Sequence, residues 1–357
     1  MSQLTTPTPS EPAATPPPSP HLPSRWRLLL QILAFAAGLA ILAFFIHKAG
    51  SPANREKLHA LWQAPPRDIA ALLALSLSSL ALNGAIFWIT IRPVRRLPLL
   101  GVLATNAGAT FLAYLPMKLS AISRFVIHNR RDKVPVFTIA AWMGAVGITL
   151  AASLCPPIGA AVWRQRIDPL FVATTAAGLA LAYALTLYIA RHFAGERGLA
   201  RLHRLTDPLK IKLLDRGMRS TFFHNFHAGF DMLAHPWTLA LAMLMRTGDV
   251  LVQAARFALA AKVVGVELGW ENAILIATTY FIVGVISPAG TLGTREGGAT
   301  AFAALLPSLP TNGFIVVALV VGASEFVTNT TCGLAGLIYL RPDKLLRAEK
   351  QQPATQP

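Results

Sequence analysis

Four polar residues inside one long apolar run are the first to require a chemical explanation. Arg246, Asp249, Gln253 and Arg256 interrupt Thr238–Val264 at offsets of 3, 7 and 10. At about 3.6 residues per turn, those offsets put all four on one face of a helix. Lipid rejects such a face, because an ionised group at the bilayer centre costs at least ~2.5 kcal/mol on insertion scales. The face therefore either lines a cavity or meets polar groups on other helices. Arg246 and Asp249, three apart, are placed to pair. Glu325, Thr328 and Asn329 form a similar face within Phe314–Leu340. Guanidiniums in such places suit phosphate oxyanions, and carboxylates there balance charge or carry protons.

A second candidate lies in Ser287-Pro288-Ala289-Gly290-Thr291-Leu292-Gly293-Thr294-Arg295-Glu296, between the short apolar runs Asn272–Ile286 and Gly297–Leu306. A half-helix starting near Thr294 would aim free N–H groups at the membrane interior, an arrangement that attracts anions. Thr294 is placed to cap it, and Glu296 in the first turn suits the helix dipole. The alternative is that Arg295 and Glu296 only pair with neighbours and hold the turn. Lys118 and Arg124 follow Pro116 and either receive a lipid phosphate or act as positive anchors at the membrane face. Asn106, Thr110 and Tyr114 form a milder polar stripe that suits helix packing better than ligand contact.

The elements that position these residues follow from composition. The 357-residue chain is 54% hydrophobic and 13% charged, whereas soluble domains carry about 25% charge. Long apolar runs occur at Leu28–Ile46, Ile69–Ile91, Leu99–Leu115, Val136–Ala161, Leu170–Ala190, Thr238–Val264 and Phe314–Leu340. Most are long enough to cross a hydrocarbon core of ~30 Å. If every long run crosses and the N-terminus is cytoplasmic, the basic stretches 118–133 and 191–235 fall outside, against the positive-inside rule. If 99–128 is a re-entrant hairpin turning near Pro116, the inside segments hold 22 Lys and Arg and the outside loops 7. The pair of short runs around Pro288, Gly290 and Gly293 is then a second hairpin entering from the other side. The expected fold is thus all-α and polytopic, with six full transmembrane helices, two opposed re-entrant hairpins and both termini cytoplasmic. Opposed broken helices mark transporters with inverted repeats, although no sequence repeat is strong enough to prove that symmetry.

The rest of the chain excludes other classes. Residues 1–24 hold eight prolines and read as a disordered, polyproline-biased tail. Residues 25–340 form the membrane domain, and 341–357 a cytoplasmic tail. The formal charge of +16 lies between apolar runs and orients the chain in a bilayer, so nucleic acid is no expected partner. Cys155 and Cys332 sit in apolar runs without a CxxC partner and read as small hydrophobes. His224 and His227 have loose metal-like spacing but no Cys or acidic partner, so no metal is expected, and no cofactor. The basic loop 191–235 is suited to lie along an anionic leaflet. No GxxxxGK[ST], HExxH or GxSxG motif is present.

At its two hairpins the sequence resembles the transmembrane region of lysylphosphatidylglycerol synthases, which also occurs as stand-alone flippase-like membrane proteins. The family motif P-x-x-x-G-E-x-x-R appears as Pro116-Met117-Lys118-Leu119-Ser120-Ala121-Ile122-Ser123-Arg124, with Ser120 and Ala121 in place of Gly and Glu. The motif P-G-G-x-G-x-x-E appears with Gly290, Gly293 and Glu296 matched, the Pro displaced to Pro288 and Thr291 in place of the second Gly. The synthases carry a large soluble domain after the membrane part, and here about seventeen residues follow the last span. The resemblance therefore implies lipid translocation without aminoacyl transfer, in the bacterial cytoplasmic (inner) membrane. Phosphate-bearing membrane lipids are the expected partners, with a homo-oligomer or an envelope-biogenesis protein as further ones. On this expectation Arg124, Arg246, Arg256 and Arg295 receive the phosphate. Asp249, Glu296 and Glu325 balance those charges or carry protons. The rival readings are a membrane-embedded lipid headgroup transferase, with Glu296 as its base or nucleophile, and a non-transporting membrane scaffold subunit.

Overall fold

The computed structural model describes residues 25–115, 118–206, 221–287, 290–306 and 311–341, and all regular structure among them is helical. The expected tail over 1–24 lies outside the described residues, as does that over 341–357 apart from Arg341. Pro116 and Pro288 also lie outside them, and nothing is described of the His224 side chain. In chain order the helices are α1 (Arg25–Ala49), α2 (Arg55–Trp62), α3 (Pro66–Ile91), α4 (Leu99–Leu112), α5 (Leu119–Arg130), α6 (Val136–Arg164) and α7 (Pro169–Phe193). They continue with α8 (Gly195–Thr206), α9 (Thr221–Ala234), α10 (Pro236–Val264), α11 (Trp270–Ile286), α12 (Thr294–Ala303) and α13 (Thr311–Leu340).

Among the described residues five helices, α1, α3, α6, α7 and α13, are long and apolar enough to cross a membrane. The sixth expected span, α10, is not among those five by composition. Its 29 residues give about 43 Å of helix, but its charged face lowers its apolarity. Local chemistry marks the helix starts. Proline occupies the first turn of α3, α7 and α10, where a missing N–H leaves no bond unmade. Asp168 caps α7 by accepting the Phe171 amide at 2.7 Å. The Arg164 guanidinium, together with that amide, holds the Asp168 carboxyl well below the usual carboxylate range. Gly265, at φ +74°, ends α10.

The charged face of α10 has a partner: α10 packs along α3, and α13 along α4. One apolar core forms around Phe257, Tyr280 and Phe314, and a second around Ile86, Trp142 and Met243. Trp142 places its indole N–H on the Phe87 carbonyl at 2.9 Å, so this large buried side chain leaves no donor unmet.

The expected hairpins are α4–α5 and α11–α12. With 14, 12, 17 and 10 residues, their helices reach about 15–26 Å, short of a ~30 Å core. Their entry sides can be read along α13. Gly333 of α13 packs on Phe111 and Ala107, and Gly336 on Ala104, so α4 runs antiparallel to α13 from its C-terminal end. Close backbone approach through small residues is the usual way helices associate in lipid. At the other end of α13, Gly313 lies beside Val266, four residues before α11 begins. The hairpins therefore enter from opposite ends of α13 and meet between them.

Their tips touch directly: the Thr291 amide donates to the Ala113 carbonyl at 3.1 Å. Gly290, at φ +90°, lies under the Ala113, Tyr114 and Leu115 carbonyls, and a Cβ there would sit 3.3–3.4 Å from all three. Gly293, at φ +74°, faces the Gly38 carbonyl of α1, and a Cβ there would collide with it. Both glycines of the second motif thus serve as turn residues. Gly293→Ala should lower stability by more than ~1 kcal/mol, from the left-handed backbone alone, with the collision adding to it. A thermal melt of purified protein in detergent checks this, and an unchanged midpoint would remove the close α1 contact from the account.

Candidate functional site

A cavity of about 310 Å³ opens where the hairpin tips meet α3, α6, α10 and α11. Arg124 reaches it from α5, Arg246 from α10 and Arg295 from α12, with Lys118 at the first hairpin turn. Asn83 and Thr110 add neutral polar groups, while Phe87, Leu150 and Phe281 supply apolar wall. No carboxylate among the described residues lines it. Leu115, Lys118 and Val285 belong to its wall and are exposed, beside exposed Ile122 and Ile286, so the open side is apolar around one cation.

Each arginine is fixed differently. Arg246 is 2% exposed and pairs with Asp249 at 2.8 Å, as its spacing predicts. Asp249 also accepts from Ser79 at 2.6 Å and Gln253 at 3.1 Å, so one carboxylate ties α10 to α3. The Arg246 guanidinium lies 5.3 Å from the Phe281 ring centre. Arg295 bonds Glu325 at 2.5 Å and stacks on Tyr280, where Gly284 leaves room for it. Arg124 has no carboxylate partner among the described residues. It donates to Asn106 at 2.7 Å and lies over Phe87 at 4.2 Å. Asn106 is itself oriented by donating to the Leu80 carbonyl at 3.2 Å.

The other expected site residues lie behind the cavity wall. Arg256 donates to the second oxygen of Glu325 at 3.2 Å and to Ser76 at 3.3 Å. Glu325 thus serves two arginines on two elements. Glu296 sits in the first turn of α12, accepts from the Tyr280 hydroxyl at 3.3 Å and packs against Gly322 of α13. The expected Thr294 cap takes another form: the helix starts at Thr294 as predicted, but Gly293 is the cap residue and makes no side-chain bond. The Thr294 hydroxyl instead donates back to the Gly290 carbonyl at 2.9 Å. As the first helical residue, Thr294 is already past the position from which a side chain reaches the free amides.

Several supporting residues were not singled out by the sequence. Ser79, Phe87 and Tyr280 are ordinary residues of apolar helices until their partners are known. The Asn106, Thr110 and Tyr114 stripe does more than pack: Asn106 holds Arg124, Thr110 lines the cavity, and Tyr114 accepts from Asn329 at 2.9 Å. Its period on α4 was the available signal. Among the described residues no group of three His, Cys, Asp or Glu side chains could hold a metal.

This arrangement can hold an oxyanion in a half-apolar pocket. A protein family described as lysylphosphatidylglycerol synthase TM region has a sequence model that matches residues 27–333. No curated protein matches the chain.

Proposed function

Since the chain belongs to the lysylphosphatidylglycerol synthase TM region family, we propose that it moves a phosphate-bearing lipid headgroup across the bacterial cytoplasmic membrane. The termini face the cytoplasm in this reading. The headgroup enters the cavity between the hairpin tips while its acyl chains stay in the bilayer. What carries the reading is the cavity wall, with arginines from three separate elements, no carboxylate among the described residues, and exposed apolar Leu115 and Val285 beside Lys118 on its open side. Guanidiniums bind phosphate through paired N–H donors, and irregular backbone at this depth is tolerated where it lines such a cavity. Asp249 and Glu325 hold Arg246 and Arg295 in place from behind. No covalent change to the lipid is part of the proposal.

Proteoliposomes carrying labelled phospholipids test it, with and without a pH gradient. The expected result is flipping well above protein-free vesicles. Dependence on the gradient would assign proton carriage to the buried acids, Glu296 first. Folded protein that leaves every phosphate-bearing lipid unmoved would overturn translocation, and a covalently altered lipid seen by mass spectrometry would favour the transferase reading.

A further inference from the structure

The charges around the cavity do not balance locally. Arg246 has Asp249, and Arg295 shares Glu325 with Arg256. Arg124 is 8% exposed and has only a neutral amide and an aromatic ring as partners among the described residues. A buried guanidinium without a counter-ion is an unusual expense in a membrane protein. Three residues before Arg124, the spacing at which two helical side chains meet, stands Ala121, on α5 and on the cavity wall, where a carboxylate would be placed to pair with Arg124. Ser120 lines the same wall with a hydroxyl rather than a charge.

We propose that Ala121, by leaving a carboxylate off this wall, makes the cavity select headgroups whose charge is purely anionic. The inference rests on reading the cavity as a headgroup site. The ligand phosphate takes the place of the missing carboxylate as counter-ion to Arg124. An ammonium on the same headgroup meets Lys118 and three guanidiniums and finds no acid among the described residues of the wall. Exposed Leu115 and Val285, flanking exposed Lys118 on the open side, favour a lipid over a free anion as the source of the phosphate.

Binding by the full chain in neutral detergent tests this without requiring transport. The probes are dihexanoyl phosphatidylglycerol and dihexanoyl phosphatidylcholine, which share a phosphodiester and differ in the ammonium. A short-chain trimethylammonium lipid and inorganic phosphate complete the set. Thermal stabilisation by the anionic lipid should require ~10-fold less ligand than by the zwitterionic one, a difference of about 1.4 kcal/mol. The cationic lipid and inorganic phosphate should give none over the same range. Ala121→Glu should close the gap between the two phosphodiesters, while Ala121→Gln, of the same size and uncharged, should keep it. Equal stabilisation by all headgroups, or an undiminished preference in folded Ala121→Glu, would overturn the inference. Inorganic phosphate as effective as the anionic lipid would overturn the lipid source. Selective binding without flipping would sink translocation alone, and flipping without headgroup preference would sink this inference alone.

Discussion

Arg124→Gln is expected to reduce flipping of an anionic lipid by ~10–100-fold while leaving the protein about as stable as wild type. The two halves of that expectation have one cause. Opposite unit charges 4 Å apart attract by about 4 kcal/mol at an effective dielectric of 20, and part of this is offset when the headgroup leaves water. A ten- to hundredfold effect is what survives. For the folded protein the same charge is a burden, because no carboxylate among the described residues compensates it. Its removal relieves desolvation and gives up one hydrogen bond to Asn106 and one cation–π contact over Phe87. Each of those contributes ~1 kcal/mol, and a glutamine amide can retain the first. Arg124→Lys should keep part of the activity, having the charge without the planar fork. Flipping and thermal midpoint measured on the same preparations decide the matter. If Arg124→Gln loses stability and activity together, Arg124 is a structural residue and the cavity loses its central argument.

Glu325→Gln should show the reverse pattern, with stability falling first. One carboxylate holds Arg295 at 2.5 Å and Arg256 at 3.2 Å, joining α10, α12 and α13. Asn329, one turn along, also donates to Glu325 at 3.4 Å. Neutralising Glu325 leaves two buried guanidiniums facing each other, and breaking a buried ion pair from one side costs about 3–5 kcal/mol. Adding Arg256→Gln removes one of the two uncompensated charges. The double variant should therefore recover ~0.5–3 kcal/mol over the sum of the single changes. Because Arg256 stands behind the cavity wall, flipping should also return in the double variant. Equal melting of Glu325→Gln and wild type would show that the pair of ion pairs contributes nothing to holding α12.

Much of the architecture was legible in the sequence because the bilayer acts on segments one at a time. Length and apolarity announce Val136–Ala161 or Leu170–Ala190 as spans whatever their neighbours do. Shortness announces 272–306 as a hairpin. The charge count turned 99–128 back on itself, and the hairpins indeed enter from opposite ends of α13. The same locality revealed Arg246 beside Asp249, one helical turn away, and the glycine turn at 290 and 293.

What the sequence pooled, the tertiary structure separated. Four arginines were candidates for one phosphate, yet Arg256 lies behind the wall and, of the four, Arg124 alone lacks an acid among the described residues. That division depends on Glu325 meeting residues 30 and 69 positions away and on Ser79 reaching Asp249 across 170. Spacing carries no information about such contacts, because they are fixed by which helices pack together rather than by the period of any one of them. The loss of a carboxylate at Ala121 was readable as a departure from a motif. Only the fold places that alanine on the wall of a cavity, where the missing charge changes what the cavity can hold.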